Sequence, residues 1–269
     1  MSFIEASILG LMQGITEFLP ISSTGHLVLA RSFFGFDDTL ALSFDAILHL
    51  ATAAAVVVYF IPDIKLLSNT ALRKLGRLPV NQRDLTLLTA LIVGTIPAVI
   101  AGLSLESFME TVFREPLLVA GILVAGSFLF MYAEWTCLNY RRESEMSTKK
   151  GLQIGLFQVL ALVPGMSRSG ATIAGGMLLG LTRVEAARFA FLLAIPLMLG
   201  AGSKKLLELM ISNEPVVWGA VAIGAIVAFV SGLAAIHFML GFVKRYTLWP
   251  FIWYRLVLAG FVVLFVYFG

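Results

Sequence analysis

Apolar runs long enough to cross a lipid bilayer dominate this chain, and a helical membrane bundle is the fold that accommodates them. A transmembrane helix needs about 20 mostly apolar residues. Six stretches meet that length, at roughly 42–61, 85–104, 116–138, 184–204, 215–243 and 250–268. Of the 269 residues, 59% are hydrophobic and only 13% charged, against about 25% charged in an ordinary soluble domain. Too few charges remain to cover the outside of a water-soluble fold, so lipid is the expected solvent.

Two further apolar regions, 3–34 and 151–181, do not read as simple spans. Each is cut in its middle by Pro, Gly and hydroxyl residues. Pro20 and Pro164 each remove a backbone donor and stop a helix. Each region is therefore expected to be a helix–loop–helix that enters the membrane and returns. Backbone of that kind is tolerated at depth only where protein buries it or water reaches it. The fold class is all-α and polytopic, with six transmembrane helices plus two re-entrant hairpins in one membrane domain.

Charge orients the bundle. With six spans, loops 62–84, 139–150, 181–188 and 244–249 share one side and carry thirteen Lys and Arg, while the other side has Arg31, Arg114, Lys204 and Lys205. The Lys/Arg-rich side is expected to be cytoplasmic, which puts both termini outside. Trp135, Trp218, Trp249 and Trp253 fall near span ends, where an interfacial belt wants them. Arg255, just inside the last span, is expected to snorkel to the cytoplasmic interface. The N-terminus lacks a basic region before its apolar run, so it is expected to stay in the mature protein. The single cysteine, Cys137, excludes an intrachain disulfide.

The two interrupted regions resemble each other at an offset of 145 residues. Gly10-Leu11-Met12-Gln13 matches Gly155-Leu156-Phe157-Gln158, and Ser22, Thr24 and Gly25 match Ser167, Ser169 and Gly170. Pro20 and Pro164 align with a one-residue slip, and Phe44 and Leu48 match Phe189 and Leu193. Three spans separate the hairpins, so the halves, about 1–138 and 150–269, are expected to be inverted repeats, an architecture familiar in transporters. Broken helices that point their N-termini inward favour an anion, phosphate or carboxylate.

Chemistry concentrates in those hairpins. Residues 13–26 hold Gln13, Glu17, Ser22, Ser23, Thr24 and His26. Ionisable groups at membrane depth are costly and mark function by default. With Ser22 or Ser23 as N-cap of a new helix, Ser23 and His26 are three apart and share a face. Nucleophile, base and an acid that orients the base form the logic of covalent catalysis; the plainer alternative is that the hydroxyls only cap a helix. The second hairpin has no general base. It offers Ser167, Arg168, Ser169 and Thr172, with Arg168 suited to clamp a phosphate or to pair with Glu17. Asp45 and His49, four apart, either line the cavity or pair with each other. His237 and the Thr182–Glu185 capping box read as structural. No His/Cys/carboxylate spacing suggests zinc, and no basic-aromatic surface suggests nucleic acid.

Gln13 to His26 and Pro164 to Thr172 resemble the two signature segments of the undecaprenyl-diphosphate phosphatase family of the bacitracin-resistance type. The resemblance continues through Phe44-Asp45, Thr182 to Phe189 and Tyr254-Arg255, over nearly the whole chain. It implies a hydrolase of the bacterial cytoplasmic membrane that removes the terminal phosphate of undecaprenyl diphosphate, leaving the monophosphate carrier lipid of cell-wall synthesis, in a cleft open to the outer side. By residue matching, Ser23 is the nucleophile or positions it, His26 is its acid/base partner, and Glu17 orients His26 or binds metal. Arg168 grips the diphosphate, and Gln13, Ser22, Thr24, Ser167, Ser169 and Thr172 supply further donors. Some relatives carry Glu where this chain has Gln13, which weakens the case for two acids holding Mg²⁺ or Ca²⁺. The expected partners are the polyprenyl diphosphate, membrane lipid and a second copy of the chain. The rival reading is a flippase or transporter of an anionic lipid or solute on the same inverted scaffold.

Overall fold

A computed structural model of the chain describes residues 1–36, 41–105, 115–140, 144–211 and 216–268. Arg114, Arg141 and Arg142, used above for orientation, lie outside the described residues. Eleven helices and no strand occur among the described residues: α1 (Phe3–Phe18), α2 (Ser23–Phe34), α3 (Ala41–Tyr59), α4 (Ile61–Leu75), α5 (Gln82–Ser104), α6 (Pro116–Asn139), α7 (Thr148–Leu160), α8 (Arg168–Leu178), α9 (Arg183–Ile211), α10 (Trp218–Phe242) and α11 (Trp249–Phe268). Five of them (α5, α6, α9, α10 and α11) are long and apolar enough to cross a membrane. A sixth span is added if α3 and α4, bent by 77° at their junction, are taken as one.

The interruptions come where Pro and Ser dictate them. Leu19, at the end of α1, is extended (ψ 144°), as the residue before a proline prefers to be. The chain restarts at α2 with Ser22 as N-cap, its Oγ accepting from the Gly25 N–H at 3.3 Å. In the second hairpin Ser167 caps α8 and accepts from Gly170 N–H at 3.2 Å. The two caps share an uncommon backbone, with φ 73° at Ser22 and 72° at Ser167. Non-glycine residues at positive φ are strained and tend to occur at functional turns.

One expectation changes. Part of the stretch 62–84, read above as a loop, forms α4. Pro62 sits in its first turn, where a missing N–H costs nothing, and Leu67 and Thr70 give it a buried side. Asp63 in α4 pairs with Arg188 in α9 at 2.6 Å.

Packing between helices rests on small residues, as it does in lipid, where close backbone approach replaces the hydrophobic effect. α1 lies against α10 with Gly10 over the backbone of Gly224, and α7 lies against α5 with Gly155 over the backbone of Gly94. The neighbouring contacts correspond too: Ala6 faces Gly224, and Gly151 faces Gly94. α3 packs on α9 and α10, while α6 packs on α8 and α11. Half of the span within α9 is buried, against 17% for α5, so α9 runs through the interior and α5 along the outside. Phe18, Phe60 and Phe191 meet beside α9, with Phe18 and Phe191 edge to face at 5.5 Å.

A side chain at Gly155 has no room, because its Cβ would overlap the Gly94 backbone, whereas nothing lies within 4 Å of one at Gly260. Gly155→Val should lower the apparent melting temperature of the detergent-solubilised protein by several degrees, on the scale of about 1–3 kcal/mol for overpacking. Gly260→Val should leave it unchanged.

Candidate active site between the two hairpins

The turns of the two hairpins are stitched together. Ser22 Oγ accepts from the Gly165 N–H at 3.2 Å as well as from its own helix. Ser169 Oγ donates in return to the Leu19 carbonyl at 3.1 Å. Gly165 has φ 99°, and a Cβ there would stand 2.7 Å from the Val119 carbonyl oxygen, so only glycine fits the turn.

Arg255 reaches this junction from α11. It is fully buried and does not snorkel to an interface, contrary to expectation. Its guanidinium donates to the carbonyls of Gly165 and Leu123 at 3.0 Å, of Met166 at 3.2 Å, and to Ser127 Oγ at 3.2 Å. A longer 3.5 Å contact reaches the Pro20 carbonyl, and the Phe130 ring lies 4.7 Å from Cζ. The physical reason is the broken helices. Carbonyls outside a helix need donors, and one guanidinium carries five N–H groups in a fixed fork.

Glu17, at 5% exposure, is the centre of the polar groups. Its Oε2 accepts from Ser23 Oγ at 2.6 Å and from Gln13 Nε2 at 2.8 Å. Its Oε1 pairs with Arg168 of the second hairpin, and His49 Nε2 of α3 lies 3.4 Å from Oε2. The Glu17–Arg168 pairing weighed from sequence is therefore formed.

The expected grouping of Ser23, His26 and Glu17 is rearranged. Ser23 turns to Glu17, six residues back across the Pro20 turn. His26 has other partners: Nδ1 contacts the Ser22 carbonyl at 2.7 Å, and Nε2 the Tyr254 hydroxyl at 2.7 Å. Asp45 and His49 do not pair through their side chains. Asp45 holds Arg31 with two contacts, at 2.5 and 2.9 Å, while His49 Nδ1 donates to the Asp45 backbone carbonyl at 2.8 Å.

The remaining candidates are close by. Ser167 Oγ and Ser169 Oγ are 3.2 Å apart. Thr172 is buried and bonds the Arg168 carbonyl of its own helix at 2.7 Å. Thr24 is partly exposed. The Gln13 Oε1 atom is buried without a partner among the described residues. Thr182 and Glu185 do form the capping box, with reciprocal bonds of 3.1 and 3.2 Å.

Three features escaped the sequence reading: Tyr254 against His26, His49 against Glu17, and the buried Glu134, which binds Arg183 and accepts from the Leu248 N–H at 2.6 Å. A signal existed for the first, because Tyr254-Arg255 is a polar pair inside a span.

The arrangement suits an anion chemically. The N-termini of α2 and α8 stand side by side, and the first-turn N–H groups of Ser23, Thr24, Arg168 and Ser169 have no intrahelical carbonyl. Positive dipole ends, free donors and Arg168 suit phosphate. The same residues do not fit a protein cage for Mg²⁺ or Ca²⁺. Among the described residues no three of His, Cys, Asp and Glu cluster, and both oxygens of Glu17 already have donors.

A family model described as bacitracin resistance protein BacA matches residues 6–261. The chain is 41% identical to an undecaprenyl-diphosphatase of Nitrosococcus oceani over 260 residues, 97% of each chain. It is 39% identical to an undecaprenyl-diphosphatase of Marinobacter nauticus, again over 260 residues and 97% of each chain. It is 42% identical to one of Rubrobacter xylanophilus over 265 residues, with the same coverage of both.

Removing the Arg255 guanidinium takes the donor from the Gly165 and Met166 carbonyls in a buried junction, at about 1–3 kcal/mol for each such group. Arg255→Met should therefore lower the apparent melting temperature more than Gly155→Val does. Arg255→Lys should not restore it, because a three-donor ammonium cannot span acceptors from three segments.

Proposed function

The chain belongs to the bacitracin resistance protein BacA family, and on that basis we propose that it hydrolyses undecaprenyl diphosphate to undecaprenyl phosphate and inorganic phosphate, between its two hairpins. One observation carries the residue assignment: Glu17 binds Ser23 and Arg168 at once, joining a hydroxyl, a carboxylate and a phosphate-binding cation in one buried seam. Phosphoryl transfer asks for little else than positioning and charge stabilisation.

The steps follow from the partners. An incoming diphosphate competes with Glu17 for Arg168. When Arg168 turns to the phosphate, Glu17 loses its counter-ion and becomes the base for the hydroxyl it already holds. Ser23 Oγ gives its proton to Glu17 and attacks the terminal phosphorus. The bond to the bridging oxygen breaks, and undecaprenyl phosphate leaves with that electron pair. Arg168 and the first-turn N–H groups of α2 and α8 take up the charge on the transferring phosphoryl oxygens. In the second step His26 Nε2 accepts a proton from water, the hydroxide attacks phosphorus, Ser23 leaves with the proton held by Glu17, and His26 gives its proton to solvent as phosphate departs. Gln13, Ser22, Thr24, Ser167, Ser169 and Thr172 supply donors or fix the two turns. No step is routed through Mg²⁺ or Ca²⁺.

We also assign the chain as two inverted repeats with six crossings and two re-entrant hairpins. The equivalent contacts support this: Gly10 on Gly224 against Gly155 on Gly94, and twin serine caps at positive φ. The Lys/Arg-rich loops then face the cytoplasm, and the termini and site face outward. The product is the carrier lipid that cell-wall synthesis reuses.

Purified protein given undecaprenyl diphosphate should release phosphate. Ser23→Ala, Glu17→Gln and Arg168→Ala should each lower kcat/KM by about 100-fold or more. Parent-like turnover in all three overturns the residue assignment, and an inactive parent overturns the activity. Adding a chelator measures directly any requirement for Mg²⁺ or Ca²⁺.

A further inference from the structure

Two consecutive residues of α11 reach the site. Arg255 holds the turns, and Tyr254 holds His26. The Ser22 carbonyl has only lone pairs, so its 2.7 Å contact puts a hydrogen on His26 Nδ1. A neutral imidazole carries one N–H, which leaves Nε2 with a lone pair. The Tyr254 hydroxyl, 2.7 Å away, donates to it. The two rings lie within 6° of parallel, with centroids 5.6 Å apart.

The surroundings make this contact specific. His26 is 6% exposed and Tyr254 44% exposed, so the tyrosine forms the outward wall of the imidazole. Its height along α11 is fixed by the next residue, because Arg255 is bonded to the second turn and to α6 and reaches the Pro20 carbonyl of the first. Ser23 and Glu17 are engaged with each other. No other side chain among the described residues hydrogen-bonds the His26 ring.

We propose that Tyr254 is a positioning residue for His26, an inference that rests on the phosphatase assignment and deepens it. The Ser22 carbonyl sets the Nδ1–H form, and the hydroxyl caps Nε2, holds the ring in place and yields that lone pair to the attacking water. A tyrosine present only as an aromatic side chain at the lipid-facing surface would be replaceable ring for ring by phenylalanine. Here the hydroxyl is the part that matters, and the ring serves to aim it.

Tyr254→Phe separates the two cases, since it keeps the ring and removes the hydroxyl. On undecaprenyl diphosphate, kcat should fall about tenfold, the worth of one well-placed hydrogen bond, with KM unchanged within about twofold. The chain has three histidines, so ¹⁵N-histidine labelling with His49→Gln and His237→Gln variants assigns the His26 resonances. The parent should show a protonated Nδ1 and a hydrogen-bonded, unprotonated Nε2, and the Tyr254→Phe variant should shift the Nε2 resonance. Parent-like kcat in Tyr254→Phe overturns the proposal, whether or not the resonance moves. Parent-like His26 resonances in that variant overturn it as well. An inactive parent would defeat the phosphatase assignment instead, and the spectra would still decide whether Tyr254 fixes the His26 ring.

Discussion

Carbonyl groups outside any helix, buried where water does not replace the lost bonds, are the constraint on which this structure turns. The chain breaks two helices at one place, at Pro20 and at Gly165-Met166, and exposes carbonyls there. Each would carry a desolvation penalty if left alone. Arg255 meets both turns together with Leu123 and Ser127 of α6. A residue with fewer donors, or one free to rotate, would satisfy one turn and leave the other unpaired. The closeness of the two broken helices therefore depends on a guanidinium from a third element.

That closeness brings opposite charges into one seam. Glu17 comes from the first hairpin and Arg168 from the second, and neither is well accommodated alone. Breaking a buried ion pair costs more than the pair contributes, so the resting site is stable while it is paired and poised for any ligand that can replace one member. In the proposed reaction the diphosphate is that ligand for Arg168. Once Arg168 is drawn away, Glu17 holds two donors, Ser23 and Gln13, and one of those is the hydroxyl that the proposed reaction uses. In the proposed mechanism, binding and base activation become a single event.

Much of this was legible in the chain. Apolar runs of about twenty residues have one common fate, so the helices follow from composition. Pro20 and Pro164 announced the breaks, and Ser22 or Ser23 announced the restart of the first hairpin. The offset of 145 residues pointed to equivalent hairpins, and the glycines it aligned, Gly10 and Gly155, are the ones that press against Gly224 and Gly94. Partner choice was not legible. Helical spacing placed Ser23 and His26 on one face, yet Ser23 bonds backward to Glu17 because the Pro20 turn folds α1 against α2. Arg255 looked like a snorkelling residue because local sequence shows its distance from a span end and not the carbonyls waiting inside. Most of α4 read as loop because its apolar side is short and its cations are many.

The two polar hairpins in an apolar chain were determined by sequence alone, since hydrophobic length, proline and serine act through local chemistry that no distant residue can reverse. Which groups face which was decided only by the tertiary structure. Glu17 meets Arg168 across 151 positions, His26 meets Tyr254 across 228, and Arg255 meets Pro20 across 235. Contacts at such separations depend on how helices pack, and that packing is fixed by the close fit of small residues and by the need to satisfy every buried carbonyl.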